Sequence, residues 1–341
     1  MTEQIVRIKE LRDKIKESIS PLIDNDYIFI ELPFYINPGD ALIWKGTETF
    51  LSELPYKCLH RAAFSTFDFI DIPKDTIIVM QGGGNFGNLY RSNQDFRLAV
   101  IEKYPDNKII ILPQTVFYKD TSLLRKDVLS MRKHKHLIIC ARDYYSYDFL
   151  RRFRFSGNIM LVPDMAFYCD LDFIHSLSVG IAKERLIFKR IDDEYKQSQT
   201  LDTIINQSTP VSTDISDWEI IEHPNDTTER LREMILGNSP HSSINEYALD
   251  TLLPYMIETG IKQISSYNEI ITTRLHAAIL ALLLGKKITI LDNSYGKNSH
   301  FYDTWLQDTC DITCIKEKIY HDWKRTLQFG FIQTILRLNI A

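Results

Sequence analysis

The sequence predicts an α/β protein made of two Rossmann-like halves, each a parallel sheet wrapped by helices, with the halves facing a cleft. Three observations predict it. Short β-branched runs alternate with helical segments from residue 27 onward, the signature of repeated βαβ units. Residues 269–304, EIITTRLHAAILALLLGKKITILDNSYGKNSHFYDT, read as strand, polar turn, apolar helix, strand and polar loop, which again joins parallel strands. Polar and glycine-rich turns recur where strands end and helices begin, the edge at which such sheets bind ligands. A chain of 341 residues suits two domains of ordinary size, divided here into 1–178 and 179–341.

The first half opens on an amphipathic helix over residues 1–24, with Ile5, Ile8, Leu11, Ile15, Ile19 and Leu22 three or four apart. That face can dock on its own domain, on a partner or on a membrane surface, although its mixed charges argue against strong membrane binding. Tyr27–Leu32 is a strand, Pro33–Gly39 a loop and Asp40–Phe50 a helix. Gly39 then permits close ligand approach, and Asp40 either faces a ligand or caps the helix. Thr76–Met80 is a strand running into Gln81-Gly82-Gly83-Gly84-Asn85-Phe86-Gly87. The glycines either offer backbone N–H groups to a ligand or form a plain tight turn; they match neither a dinucleotide fingerprint nor a Walker loop.

Leu89–Tyr104 reads as helix, and Lys108–Leu112 as a strand ending in Pro113-Gln114-Thr115. Ser122–Arg132 is an amphipathic helix, and Leu137–Cys140 a strand ending in Ala141-Arg142-Asp143 before the helix Tyr144–Phe153. Arg142 stands just past a strand and just before a helix, where it either meets an anion or pairs with Asp143 or Asp148. Ile159–Val162 and Pro163-Asp164 close this half.

In the second half, Arg185–Lys189 is a strand, 191–216 a mobile polar loop, Trp218–Glu222 a strand and Tyr247–Thr259 a helix. Residues 223–245 fit no pattern, and Lys316–Leu338 reads as terminal helices. Within 269–304, Thr272 or Thr273 caps the buried helix, Gly285 ends it, and Lys286 and Lys287 lie at its negative end. Arg274 and His276 are the anomaly. A cation at a helix N-terminus opposes the dipole, at a cost of roughly 0.3–1 kcal/mol. The free N–H groups there already favour anions, so Arg274 makes sense beside a bound phosphate or carboxylate. The alternative is a distant carboxylate for Arg274 and a core position for His276.

Composition narrows the function classes. The net charge of −5 is no nucleic-acid footprint, so any anion site must be a local gathering of cations. Five cysteines without CxxC spacing imply reduced thiols in a cytoplasmic protein and no zinc site. The longest apolar run, Ala277–Leu284, is far short of the roughly 18 residues of a membrane span.

Taken together, Gly39-Asp40, Gly82-Gly83-Gly84-Asn85, Pro113-Gln114-Thr115, Ala141-Arg142-Asp143, Pro163-Asp164-Met165-Ala166, Arg274-Leu275-His276-Ala277 and Leu291-Asp292-Asn293-Ser294-Tyr295-Gly296-Lys297 resemble the polysaccharide pyruvyl transferase family. They stand in the family's order across about residues 27–305; Thr273 occupies a position where many members have Asp. The resemblance implies a GT-B-like fold and transfer of pyruvate from phosphoenolpyruvate to a sugar diol, giving a cyclic ketal on a surface or capsular polysaccharide precursor. It implies no nucleotide, no cofactor and no obligatory metal, and a sugar or lipid-linked oligosaccharide acceptor that can bring the enzyme to the inner membrane face. The family's functional positions carry over to Arg142, Arg274 and His276. The resulting expectation is that His276 is the general acid/base and that the two arginines hold phosphate and carboxylate. Gly39, Asp40, Gly83, Gly84, Asn85, Gln114, Thr273, Leu275, Ser294, Tyr295 and Lys297 are the expected substrate contacts. Among them Asp40 and Asn85 would orient acceptor hydroxyls, and Lys297 would either touch phosphate or be solvated. Tyr295, Tyr302 and Trp305 either stack on a sugar or belong to the core. Two rival readings are a nucleotide-sugar glycosyltransferase and a non-catalytic glycan-binding protein of the same fold.

Overall fold

The computed structural model describes residues 3–190, 198–207, 212–223, 225–293 and 295–316. Ser294 and nearly all of the expected terminal helices over 316–338 lie outside the described residues, as do 191–197 and 208–211 of the expected polar loop.

Two parallel sheets carry the fold. The first contains β1 (Tyr27–Leu32), β2 (Cys58–Ala63), β3 (Ile77–Met80), β4 (Gly83–Gly87), β5 (Ile109–Phe117), β6 (Leu137–Ala141) and β7 (Asn158–Leu161). Its order is β2-β1-β3-β5-β6-β7, with β4 pairing β5 off that path. The second contains β8 (Lys183–Phe188), β9 (Thr213–Ser216), β10 (Tyr267–Thr272), β11 (Lys287–Leu291) and β12 (Ile312–Ile315), in the order β12-β11-β10-β8-β9. Helices cover both faces, so central strands such as β1, β3 and β6 are buried along their whole length. That burial is why they read as unbroken aliphatic runs.

Several elements depart from the sequence reading, each for a physical reason. The edge strand β2 was hidden by His60 and Arg61, which its half-exposed position tolerates. Residues 83–87 form strand β4 beside β5, with Gly83 opposite Gln114 and Phe86 opposite Val116, and are not a plain glycine loop. Strand β5 runs straight through Pro113, which can donate no ladder hydrogen bond; the pairing with β6 shifts register between Ile111 and Gln114. The expected polar loop over 191–216 contains the helix Gln199–Gln207 and the edge strand β9. Trp218–Glu222 is not a strand: Glu219–Glu222 is a helical turn that begins after Trp218. The segment after β11 is not a loop either, because Lys297–Trp305 is a helix whose polar composition conceals buried Phe301 and Trp305.

One hydrophobic core crosses from one half to the other. It joins Ile43, Trp44 and Phe50 on the helix Pro38–Ser52 to Met256 and Ile261 on the helix Leu253–Ser265 and to Ile279 and Leu282 on the helix Leu275–Leu283. The backbones approach closely at Gly260, where an added Cβ would lie 3.2 Å from Pro38 Cβ.

The N-terminal helix, Glu3–Ile19, straps both halves together. Ile8, Leu11, Ile15 and Ile19 are buried in the shared core. Gln4 Nε2 donates to the carbonyls of Lys286 (3.3 Å) and Cys310 (3.4 Å), and Arg7 Nε and Nη2 donate to the Trp305 carbonyl (2.8 and 2.6 Å). On the other half, Arg12 and Lys16 pair with Glu53. Of the destinations open to this apolar face, the structure uses docking on the protein itself. Among the described residues no helix is long and apolar enough to cross a membrane.

Leu11 is 1% exposed, so Leu11→Ala removes a fully packed side chain. We expect a loss of about 2–5 kcal/mol, read from the urea midpoint at unchanged slope. A loss under about 1 kcal/mol would mean that the strap is not part of the folded core.

Candidate active site

The cations gather because parallel strands deliver their carboxyl ends to one edge of each sheet, and the two edges meet. Arg142 follows β6, Arg190 follows β8, Arg274 follows β10, and Lys297 opens the helix after β11. All four, with His276, line a cavity of about 520 Å³.

Arg142 is its best-fixed member. The side chain is fully buried, with Nε donating to Thr115 Oγ1 (2.8 Å) and Nη1 to Asp164 Oδ2 (2.7 Å). Its backbone is held too: its N–H donates to the Gln114 carbonyl (3.0 Å), and its carbonyl accepts from Trp305 Nε1 (2.7 Å). Thr115 in turn donates to Asp143 Oδ2 (2.8 Å), which caps the helix Tyr144–Phe153. The carboxylate partner is thus Asp164, not Asp143 or Asp148. Among the described residues Arg142 Nη2 is buried and makes no hydrogen bond. It points toward Gly84, where an added Cβ would come within 2.9 Å of Nη2 and 3.4 Å of Lys297 Nζ. Glycine at 84 therefore lets both cations lie close against the backbone there.

Lys297 is placed by the motif before it. Its N–H donates to Asn293 Oδ1 (2.9 Å), Asp292 Oδ1 accepts from the N–H groups of Asn293 and Ser299, and Gly296 turns the chain at φ +84°. Like Arg274, Lys297 is a cation at the N-terminal end of a helix, where the dipole disfavours it. Arg274 does find a distant carboxylate: it forks onto Asp217, with Nη2 to Oδ2 at 2.6 Å, and still reaches the cavity wall. No threonine side chain caps the helix Leu275–Leu283; Arg274 is its N-cap residue, and its N–H donates to Thr272 Oγ1 (2.9 Å).

His276 bridges the halves. Its Nε2 lies 3.2 Å from Arg142 Nη1 and 3.3 Å from Asp164 Oδ2, and its Nδ1 lies 4.0 Å from Asp40 Oδ1. A neutral ring accepts from Arg142 at Nε2, and a protonated ring donates from Nε2 to Asp164, so each state has a partner. Burial alone would raise the Asp164 carboxyl, but His276 and then Arg142 hold it well below the ordinary carboxylate range. Gly39 serves this packing: a Cβ there would lie 2.9 Å from His276 Cβ and 3.0 Å from Nδ1, so the close approach it permits is that of the histidine. Asp40 is not the helix cap, since Asn37 accepts from the Gly39 N–H. Asp40 Oδ2 instead accepts from Tyr35 Oη (2.9 Å) and Asn37 Nδ2 (2.8 Å).

Of the other expected contacts, Gly84, Asn85 and Leu275 line the cavity, and Gly83, Gln114, Thr273 and Tyr295 do not. Gln114 is buried and donates to the Gln81 carbonyl (2.8 Å). Thr273 Oγ1 accepts from the Arg190 N–H (3.2 Å), which sets the course of the chain after β8. Tyr295 packs on Phe117 at 4.6 Å between ring centres, and Trp305 is buried beneath Arg142, so these two aromatics are structural; Tyr302 is not on the wall. Sequence reading missed Arg190, although it shares with Arg142 and Arg274 the pattern of a cation just past a strand. Asp217 gave no such signal, and Asp164, although part of the Pro163-Asp164-Met165-Ala166 motif, was not read as a partner of Arg142, because these carboxylates lie 57 and 22 residues from the arginines they pair with.

The α/β fold brings cations, a carboxylate and a histidine at its strand ends onto one cavity, an arrangement chemically suited to hold an anion and to exchange a proton. The family model described as polysaccharide pyruvyl transferase matches residues 37–295, and the chain belongs to that family. It is accordingly a transferase of polysaccharide biosynthesis. It is 31% identical over 308 residues to the putative pyruvyl transferase EpsO of Bacillus subtilis, covering 86% of this chain and 91% of that one. It is 26% identical over 291 residues to pyruvyl transferase 1 of Schizosaccharomyces pombe, covering 81% of this chain and 69% of the relative. The crystal structure of an uncharacterised protein from Klebsiella pneumoniae shares the fold, with a TM-score of 0.61 at 22% identity over 90% of this chain and 99% of the other.

Asp164→Asn should cost about 3 kcal/mol at neutral pH, since it removes the buried countercharge of Arg142. The depressed Asp164 carboxyl contributes stability that is present above its ordinary value of 3.8 and is lost as pH falls below it. The variant should therefore lose less further stability on acidification through that range than the wild type. Parallel acid-unfolding curves would contradict the assigned pairing.

Proposed function

We propose that the protein transfers the pyruvyl group of phosphoenolpyruvate to two hydroxyls of one sugar in a surface or capsular polysaccharide precursor, releasing phosphate. The observation that carries this reading is the buried Arg142 Nη2, which has no hydrogen-bond partner among the described residues and shares the corner above Gly84 with Lys297 Nζ. An unpaired guanidinium N–H beside an ammonium suits an oxyanion, and phosphoenolpyruvate carries both a phosphate and a carboxylate. Arg190 and Arg274 stand on the same wall for the second anionic group. The two α/β halves then act as a GT-B-like pair, residues 1–178 toward the acceptor and 179–341 toward the donor. The protein works in the cytoplasm, where a lipid-linked acceptor would bring it to the inner membrane face. The donor is itself the source of the transferred group, so the scheme calls for no cofactor.

The chemistry follows from charge. Protonation of the donor's C3 leaves cationic character at C2, which one sugar hydroxyl attacks with loss of its proton. The C2–O bond to phosphate then breaks, and the second hydroxyl closes the ketal, its proton leaving with the products. His276 supplies the first proton and recovers one from the hydroxyls through Nδ1, the ring nitrogen directed toward Asp40. Asp164 Oδ2 accepts the Nε2–H hydrogen bond of the protonated ring and of the neutral ring that remains once Nδ1 has given up its proton. Asp40 receives hydroxyl hydrogen bonds from the acceptor.

Phosphoenolpyruvate at a hundred times its Kd should stabilise the native state by about 2.7 kcal/mol, read as a rise in Tm, and UDP-, GDP- and CMP-sugars should not. Lys297→Ala should abolish that rise. His276→Gln should keep it while lowering phosphate release by about 10²–10⁴-fold. A rise with a nucleotide sugar alone would replace the donor and make the protein a glycosyltransferase.

Gly84→Ala puts a methyl group 2.9 Å from Arg142 Nη2, on a guanidinium held by Thr115 and Asp164, so it should lower Tm and should also lose the response to phosphoenolpyruvate by crowding the corner between Arg142 and Lys297. An undiminished response would move the anion site elsewhere in the cavity.

A further inference from the structure

The cavity has two unlike ends. The inner end is ionic and is formed around Arg142, His276 and Lys297. The outer end is walled by Tyr35, Phe64, Leu89 and Tyr90, each 36–39% exposed. These four come from three separate segments of the first half: the chain after β1, the chain after β2, and the turn between β4 and the helix Arg91–Lys103. Adjacent aromatic residues in the same segments go inward: Phe34 packs on Trp44 at 5.5 Å, and Phe67 packs edge-on to Phe96 at 6.0 Å. The chain thus buries one aromatic set and leaves another facing the mouth of a charged cavity. Large apolar groups gathered at such a mouth mark a binding surface.

The polar groups between the two ends are fixed. Tyr35 is held through its hydroxyl on Asp40 Oδ2, so its ring is a pinned platform, and Asp40 Oδ1 is left toward His276. Asn85 is pinned from behind: buried Arg97, itself paired with Glu31 at 2.7 Å, donates to the side-chain oxygen and to the backbone carbonyl of Asn85. What Asn85 can offer a ligand is therefore its amide N–H donors. An apolar platform beside one carboxylate acceptor and one amide donor matches a pyranose, which has a C–H face and a hydroxyl edge.

We propose that Tyr35, Phe64, Leu89 and Tyr90 form the acceptor subsite, on which one pyranose lies with its C–H face on the rings and its diol edge toward Asp40 and His276. This rests on the pyruvyl transfer reading for the identity of the reaction, but the sugar site itself does not require it. The assignment moves sugar stacking away from Tyr295 and Trp305, which are structural, to a rim contributed wholly by the first half.

The test uses the full chain and methyl pyranosides of gluco, galacto and manno configuration, with binding read by saturation-transfer difference NMR and donor binding by the Tm rise with phosphoenolpyruvate. We expect at least one glycoside to bind with saturation concentrated on one C–H face. Phe64→Ala and Tyr90→Ala should each weaken it by about tenfold, Tyr90→Phe should restore it, and the response to phosphoenolpyruvate should stay unchanged. With an accepted glycoside, KM for the sugar should rise and kcat should hold. No glycoside binding to the wild type, or equal binding to the alanine variants, would overturn the proposal. Glycoside binding that the rim variants lose, in a protein that gives no response to phosphoenolpyruvate, would keep the sugar subsite and remove the donor.

Discussion

The structure depends on one buried guanidinium. Arg142 sits in the interior with Asp164 as its countercharge, and a charge there is tolerated only if it is paired and hydrogen-bonded. Its partners come from the ends of different strands and from both halves: Thr115 on β5, Asp164 after β7, His276 after β10 and Trp305 on the helix after β11. Satisfying that group fixes where those strand ends must lie. The proposed anion corner rests on the same group, because Nη2 is the one guanidinium nitrogen of Arg142 that makes no hydrogen bond among the described residues.

The same device recurs with different outcomes. Arg97 is paired with Glu31 and buried completely, and its remaining donors hold Asn85, so it acts on the cavity through another residue. Arg274 is forked on Asp217 yet stays on the cavity wall. Along the wall, Arg91, Arg142, Arg190, Arg274 and Lys297 face one lining carboxylate, Asp40, while Asp164 and Asp217 stand behind the wall as the partners of Arg142 and Arg274. A protein of net charge −5 reaches a positive interior only by this local concentration.

What was legible in the sequence was what local chemistry dictates. Central parallel strands are apolar on both faces, so β1, β3, β6, β10 and β11 stood out, and a cation at a helix start contradicts the dipole, so Arg274 and His276 stood out with them. Segments whose form is set by tertiary contacts were not legible. Lys297–Trp305 has the composition of a loop and is a helix because Phe301 and Trp305 find a core. The glycines at 83–87 read either as a loop facing a ligand or as a tight turn, and are a strand because β5 runs past Pro113 to pair with them. Gln114 and Thr273 flank the right strand ends, but the Gln114 amide N–H is taken by the Gln81 carbonyl and Thr273 Oγ1 by the Arg190 N–H. The outer rim was invisible because Tyr35, Phe64, Leu89 and Tyr90 carry no shared pattern until the sheet brings three segments together.

The shared core decides how such a site can select its ligand. Helices Pro38–Ser52, Leu253–Ser265 and Leu275–Leu283 pack as one body, tight enough at Gly260 that a methyl group there would press on Pro38. The Asp40–His276 and Arg142–His276 contacts are made across that packed boundary, so the spacing of the charged groups is set by the core and not by the ligand. Groups held in place before a substrate arrives cost little reorganisation when charge develops on it. They also penalise a ligand whose anionic groups are spaced differently, since close-packed interiors do not stretch to follow it. Under the proposed function, selectivity for a compact anion at the inner end follows from the same packing that joins the two halves.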